Sequence, residues 1–212
     1  MLFSNPFKSR MPLEKEALPG SDTPVWKGGP HAVHGTPTVS PFPPGYAQIV
    51  LGLGCFWGAE RLFWRLNGVF STAVGYAGGL TPNPTYEEVC SGQTGHSEVV
   101  LVVFDPTKIT LEAILTVFWE EHDPTQGFRQ GNDMGTQYRS AIFYTDAADA
   151  DQITQSATAY GKALKNAGLA SITTEIGPLS RFFYAEEYHQ QYLYKVPNGY
   201  CGLKGTGIRH KI

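Results

Sequence analysis

Apolar residues along this chain fall into short runs of two periods, separated by glycine, proline and polar stretches. Ala47 to Leu53 (AQIVLGL) is a compact apolar run next to glycine, the pattern of a buried strand. It leads into Gly54-Cys55-Phe56-Trp57-Gly58. Beyond that, Ala59, Leu62, Phe63 and Leu66 recur at helical spacing, with Asn67-Gly68 as the stop. Ser71 to Tyr76, His96 to Phe104 (HSEVVLVVF) and Arg139 to Thr145 (RSAIFYT) read as further strands. Thr110 is placed to cap a helix whose Leu111, Ile114, Leu115, Phe118 and Trp119 form one stripe. Asp146 is placed to cap a longer one reaching Ala167, with Ile153, Ala157, Tyr160 and Leu164 on one face and Gly168 after it. Ser171 to Ile176 alternates like a half-buried strand, and Ala185 to Lys195 reads as a last short helix. Two irregular stretches interrupt the series: Ala77 to Pro84, rich in Gly and Pro, and the polar loop Glu121 to Gln137. A loop of the second kind is usually functional or mobile. The order predicts an α+β protein, a two-layer α/β sandwich with a ferredoxin-like split βαβ core.

Proline divides the chain. Nine of the fifteen (Pro6, Pro12, Pro19, Pro24, Pro30, Pro37, Pro41, Pro43 and Pro44) lie before Tyr46. Proline fixes φ and donates no backbone hydrogen bond, so residues 1–45 are expected as a long irregular arm, lying on the domain or partly mobile. Residues 46–212 are then a single domain, ending in a Gly-rich tail over 197–212. No repeat or low-complexity tract is visible.

Composition narrows the functional classes. The chain has 212 residues, 42% hydrophobic and 17% charged, which suits a packed core rather than a disordered chain. With 16 Lys and Arg against 19 Asp and Glu, the net charge of −3 gives no reason to expect nucleic acid or an anionic membrane as partner. No apolar run approaches the ~20 residues a membrane helix needs. The first residues, MLFSNPFKSRMP, lack the apolar stretch of a secretory signal. Three cysteines are too few for a disulfide framework, and a reducing cytoplasm fits best.

Cys55 is the leading candidate for chemistry. It stands where a strand is expected to end and a helix to begin, and unpaired N–H groups and the helix dipole favour a thiolate there. The residues alone also allow a buried small hydrophobe. Phe56 and Trp57 cannot both face one core stripe, because neighbours on a helix lie ~100° apart; ordinary packing and a pocket wall both remain open. Glu98 shares a strand face with Val100, Val102 and Phe104. Either its carboxyl is buried with a raised pKa, as an acid, or it is solvated at a frayed strand start. Cys201, in the glycine-rich tail, is either a second thiol able to reach Cys55 or an inert surface group. Cys90 reads as structural. His96, His122 and His189 stand near acidic residues, but no ligand spacing supports a metal site, and GYAGG fits no phosphate loop.

The run GCFWGAE (Gly54 to Glu60) strongly resembles the A-type peptide methionine sulfoxide reductases. The resemblance continues through GYAGG (Gly75 to Gly79), NPTYEEVCSGQTGHSEVV (Asn83 to Val100), HDPT (His122 to Thr125) and RQGNDMGTQYRSAIF (Arg129 to Phe143). ITTEI (Ile172 to Ile176), YAEEYHQQYL (Tyr184 to Leu193) and GYCG (Gly199 to Gly202) extend it, so that it covers roughly residues 47 to 207. It implies that Cys55 attacks the sulfoxide sulfur and that Phe56 and Trp57 receive the S-methyl group. It implies that Glu98 protonates the departing oxygen, that Tyr86 and Tyr138 hydrogen-bond it, and that Asp133 orients substrate or water. Cys201 matches the resolving cysteine, and Tyr200 beside it a pocket residue. The implied reaction is reduction of the S epimer, in proteins or free, with no bound cofactor. An external dithiol such as thioredoxin would reduce a Cys55–Cys201 disulfide, in a monomeric enzyme. Many members carry a further cysteine after the resolving one. This tail has none, so a shuttle through a third cysteine there is not expected. The residues themselves also admit a cysteine acyl-transfer enzyme using His189 or His122, and a non-catalytic module that binds methionine-rich peptides.

Overall fold

The structure is a computed structural model and describes residues 5–210, so the first four residues of the expected arm and the last two of the tail lie outside the described residues. In chain order the elements are β1 (Ala47–Leu53), α1 (Phe56–Trp64), β2 (Val69–Ala77), α2 (Tyr86–Ser91), β3 (Ser97–Phe104), α3 (Leu111–Glu121), β4 (Arg129–Gln130), β5 (Asp133–Met134), β6 (Ser140–Tyr144), α4 (Ala150–Asn166), β7 (Glu175–Pro178), β8 (Phe182–Tyr184) and α5 (Tyr192–Lys195). Six strands form one mixed sheet in the order β7-β6-β1-β3-β2-β8. β1 pairs antiparallel with both β3 and β6, β2 antiparallel with β3 and β8, and β7 runs parallel to β6.

The period of two along the strands sorts side chains between two faces. Ile49, Leu51, Leu53, Val100, Val102 and Phe104 face α1, α3 and α4, and pack with Phe63, Ile114, Phe118, Trp119 and Tyr160. Fully burying each such side chain stabilises the fold by roughly 1.5–3 kcal/mol relative to exposure. The alternate residues Val50, Val99, Leu101 and Val103 form a smaller cluster on the opposite face, closed by Phe42 of the arm and by Tyr46, Phe182 and Tyr184. The arm therefore packs on the domain through its apolar residues. It is also pinned by polar contacts: His31 hydrogen-bonds Thr72 at 2.9 Å and His34 reaches the carbonyl of Trp64 at 2.9 Å.

The strongest periodic segments form where the pattern places them. Thr110 caps α3 by accepting a hydrogen bond from the Ala113 N–H, an arrangement worth ~1 kcal/mol. Several expectations need correction. α1 ends at Trp64, short of the Asn67-Gly68 stop. The helix expected over 146–167 starts as a 3-10 turn, Ala147–Asp149, capped by Asp146, and becomes α-helical only from Ala150. The strand expected over 171–176 lies at Glu175–Pro178 instead. Thr173 and Thr174 are taken by the polar loop and β6: Thr173 bonds the carbonyl of Pro124, and Thr174 the hydroxyl of Ser140. The helix expected over 185–195 survives only as a 3-10 turn, Glu187–His189, and the four-residue α5. Between them the Gln190 side-chain amide pairs with both the N–H and the carbonyl of Val74 on β2, as a strand backbone would. α2 and β8 were not expected. The long polar loop is ordered rather than loose. It contains the β4–β5 hairpin, and Gln130 both accepts from the Asp123 N–H and donates to the Asp123 carbonyl.

Candidate active site

Three features at one end of the sheet converge on one small cavity. The first is the turn from β1 into α1. Gly54 sits at φ +94°, where a Cβ would lie 2.5 Å from Gln130, so only glycine fits this turn. Cys55 becomes the N-cap of α1, and Phe56 its first residue. The second is the start of β3, where Glu98 points to the α1 face and its Oε2 accepts a hydrogen bond from the Phe56 N–H at 3.0 Å. The third is the polar loop, whose hairpin presents Asp133 and whose 3-10 turn, Thr136–Tyr138, ends on Tyr138. α2 completes the enclosure. A capping box between Thr85 and Glu88 starts this helix at Tyr86. Glu186 fixes that start, accepting from the Tyr86 N–H at 2.8 Å and from the Tyr76 hydroxyl at 3.1 Å.

The cavity has a volume of about 160 Å³ and is lined by Cys55, Phe56, Trp57, Tyr86, Glu98, Asp133, Tyr138 and Tyr200. Eight of the nine residues singled out in the sequence thus share one space. The ninth, Cys201, does not line it. Its Sγ rests against α1 at Gly58, where a Cβ would lie 2.8 Å from the sulfur. Tyr200 crosses the cavity mouth, and its hydroxyl donates to Asp133 Oδ2 at 3.1 Å. Cys55, Cys90 and Cys201 are all free thiols. Cys90 lies in the last turn of α2, half-buried, outside the cavity.

Burial sets the protonation states. Glu98 is 1% exposed, which excludes a solvated strand end, and burial pushes its pKa up to about 8. The Phe56 N–H pulls the other way, while Asp133 adds to the rise. At neutral pH Glu98 therefore holds a proton. Cys55 corrects the sequence expectation of a lowered thiol pKa. Its 9% exposure raises the pKa above the usual thiol range, Glu98 and Asp133 add to the rise, and the Trp57 N–H opposes it only in part. Desolvation outweighs the helix N-terminus here, because the cap position is sealed by the neighbouring loop. Burial likewise raises the pKa of Tyr86 and Tyr138, which stay neutral hydroxyl donors.

The aromatic wall is built from three elements. The Trp57 indole N–H donates to His189 Nδ1 at 3.1 Å, and its ring stacks on Tyr192 with centroids 4.0 Å apart. His189 also packs against Phe56 and Tyr86 at 5.1 and 4.5 Å. Burial holds the His189 pKa down to about 4, so the ring is neutral. Because Nδ1 accepts from Trp57, it is not available as a base for Cys55. His122 is engaged at both nitrogens, by the Phe118 carbonyl and the Ser140 hydroxyl, and is buried just past the end of α3. Neither histidine serves an acyl-transfer mechanism. No group of three or more His, Cys, Asp or Glu among the described residues is arranged to hold a metal ion. Glu186 and Tyr192, and the wall role of His189, were not found by sequence reasoning. They act on residues 100 to 135 positions away, and nothing in local periodicity marks such contacts.

A buried thiol, a protonated carboxyl and two neutral phenols around a cavity the size of one side chain define a cysteine-dependent site for a small polar group. The comparisons identify the family. The model of the peptide methionine sulfoxide reductase family matches residues 47–212. The chain is 60% identical over 201 residues to a peptide methionine sulfoxide reductase MsrA of Brucella anthropi, spanning 95% of this chain and 92% of that one. Among solved structures, methionine sulfoxide reductase A of Corynebacterium diphtheriae superposes with a TM-score of 0.86 at 47% identity, covering 94% of this chain and 99% of that one. Mxr1 from Saccharomyces cerevisiae in reduced form follows with a TM-score of 0.71 at 35% identity, covering 82% and 97%. The chain belongs to the peptide methionine sulfoxide reductase A family, and is an oxidoreductase acting on methionine sulfoxide.

Proposed function

We propose that this chain reduces the S epimer of methionine sulfoxide, protein-bound or free, by attack of the Cys55 sulfur on the sulfoxide sulfur. The observation that carries the reading is the shared cavity of Cys55, Glu98, Tyr86, Tyr138, Phe56 and Trp57. Sulfoxide oxygen leaves poorly until protonated, and Glu98 holds the proton it needs. Cys55 attacks sulfur, Glu98 gives its proton to the oxygen, and the Cys55 thiol proton replaces it on Glu98. Oxygen moves to the Cys55 sulfur, so thiol and sulfoxide become sulfenic acid and thioether. Tyr86 and Tyr138 donate to the oxygen, Asp133 orients substrate with Tyr200, and the Phe56–Trp57 wall receives the methyl group. Fixed oxygen and methyl subsites accept one configuration at a chiral sulfur, and by resemblance that is the S form.

In the second stage the Cys201 thiol attacks the sulfenic acid, releasing water and forming a Cys55–Cys201 disulfide. The approach of Cys201 to α1 at Gly58 supports this pairing. A dithiol reductant of thioredoxin type then restores both thiols by exchange. Mxr1 from Saccharomyces cerevisiae has been solved in complex with Trx2, which supports that class of partner. No metal or prosthetic group enters any step. Residues 46–212 act as one catalytic unit and residues 1–45 as an arm, whose described part, 5–45, lies upon it, and the protein works as a monomer in a reducing cytoplasm. No helix among the described residues is long and apolar enough to cross a membrane. The ferredoxin-like reading of the core is supported by the central strand order β6-β1-β3-β2 with antiparallel neighbours.

The test is a single turnover. Reduced protein is mixed with the separate S and R sulfoxides of a blocked methionine without external reductant, and methionine yield, thiol loss and the disulfide are measured. One equivalent from the S epimer with a Cys55–Cys201 bond is expected. A Cys55–Cys90 bond would overturn the assignment of Cys201, and product from the R epimer the stereochemistry.

A further inference from the structure

We propose that Glu60 is a positioning residue for the aromatic wall of the pocket, holding His189 and Tyr192 against Trp57 through Gln191. The inference rests on the reading of Trp57 as the methyl-binding wall. Glu60 lies on α1 three residues beyond Trp57 and is wholly buried. No Lys, Arg or His pairs with it among the described residues within ion-pair distance. Instead, three donors converge on its carboxylate. The Gln191 N–H reaches Oε2 at 2.7 Å, the Gln191 side-chain amide reaches Oε1 at 2.7 Å, and the Thr72 hydroxyl reaches Oε1 at 2.9 Å. A buried carboxylate is retained only where hydrogen bonds replace its water, and here every facing group donates.

These bonds hold an unfavourable backbone. Gln191 sits at φ +47°, ψ +42°, the left-handed region that non-glycine residues rarely adopt. That one residue reverses the chain between the Glu187–His189 turn and α5. The reversal puts His189 on the Trp57 indole N–H and Tyr192 on its ring face. The Gln191 amide also accepts from the Ala32 N–H at 3.1 Å, and Gln190 beside it is pinned to Val74 on β2 and to Ala185, but Glu60 alone binds the Gln191 backbone N–H and its side chain together, at the residue whose backbone is strained. The same carboxylate is tied to the arm. His31 Nδ1 accepts from the N–H groups of Val33 and His34, so Nε2–H donates to Thr72 Oγ1, whose own proton goes to Glu60. The arm thus feeds one end of the chain that sets the wall.

Glu60→Gln replaces one accepting oxygen with a donor and should release Gln191. Steady-state kinetics with the blocked S sulfoxide should show KM up by about five- to tenfold with kcat within about twofold, the pattern of lost uniform binding. The Trp57 indole resonance, identified by its loss in Trp57→Phe, should shift. Adding Gln191→Gly, which takes a positive φ without strain, should bring KM part of the way back. Wild-type KM with an unmoved indole resonance, or a fall in kcat at constant KM, would overturn the proposal. Should Glu60→Gln not fold, Thr72→Val removes one donor at nearly constant shape. It must then move the indole resonance and raise KM, or the proposal fails. Trp57→Ala with unchanged KM would instead sink the methyl-wall reading, while the indole shift in Glu60→Gln would still decide the role of Glu60.

Discussion

The carboxyl of Glu98 accepts a hydrogen bond from the backbone N–H of Phe56, the residue that follows Cys55. One contact across 42 positions of sequence fixes the Glu98 carboxyl to the helix terminus that Cys55 caps, in the cavity both side chains line. The proton on Glu98 is a result of burial rather than of a dedicated partner.

Removing that acid should slow the chemical step. Glu98→Ala is expected to lower the single-turnover rate by roughly 10²-fold or more, the usual contribution of a positioned acid. Glu98→Gln should lose less, since an amide still donates a hydrogen bond. Rapid-quench measurement of methionine formed checks both, and unchanged rates would remove Glu98 from the reaction.

The raised pKa of Glu98 also makes a claim about stability. Unfolded, the carboxyl loses its proton near 4.5; folded, only near about 8. Between these limits the folded state binds more protons, so the contribution of Glu98 to stability is fully present below the lower value and is lost as pH rises through the upper. Glu98→Gln cannot titrate. Thermal unfolding at pH 5 and pH 9 should show the variant gaining on the wild type at the higher pH. Parallel pH dependences for the two proteins would place the Glu98 pKa near its ordinary value.

Most of the site was legible in the sequence because its residues sit in contiguous motifs. GCFWG marks the strand-to-helix turn, and the even spacing of Glu98, Val100, Val102 and Phe104 puts Glu98 on the helix-covered face, as found. The Cys55 protonation state was misread, because helix position can be read from sequence but the depth of burial under the polar loop cannot. The break at Gln190 and Gln191 was also hidden. Ala185 to Lys195 has good helix formers, but their side chains bond Val74 and Glu60, more than 100 positions away. β8 and α2 are too short for periodicity to register.

The two phenols should act on oxygen, not on the methyl group. Tyr86→Phe and Tyr138→Phe each remove one donor from the cavity while keeping its shape. Each is expected to slow single turnover by about tenfold, comparable to the loss of a hydrogen bond worth ~1.4 kcal/mol in the transition state. Preference for the S epimer should persist if Phe56 and Trp57 receive the methyl group as proposed, because neither is touched. Loss of epimer preference in either variant would reassign the phenol to substrate orientation.

Gly58 offers a way to separate the two stages. A Cβ there would lie 2.8 Å from Cys201 Sγ and 3.1 Å from the Leu203 side chain, so the tail must move aside. Beyond Leu203 the chain has little slack. Tyr160 bonds Thr206 and the Ile208 carbonyl, Arg209 pairs with Glu120, and His210 is held by Thr116 and Ser156. The displacement must therefore be absorbed near Cys201 itself. Gly58→Ala should leave the first methionine unaffected, since Cys55, Glu98 and both phenols are untouched, but slow disulfide formation. The sulfenic acid on Cys55 should then persist long enough to be trapped by a carbon nucleophile and weighed by mass spectrometry. Cys201→Ser sets the limit of the same behaviour: one methionine per enzyme and no recycling by thioredoxin. If Gly58→Ala forms the disulfide at the wild-type rate, the resting position of Cys201 against α1 has no part in resolution.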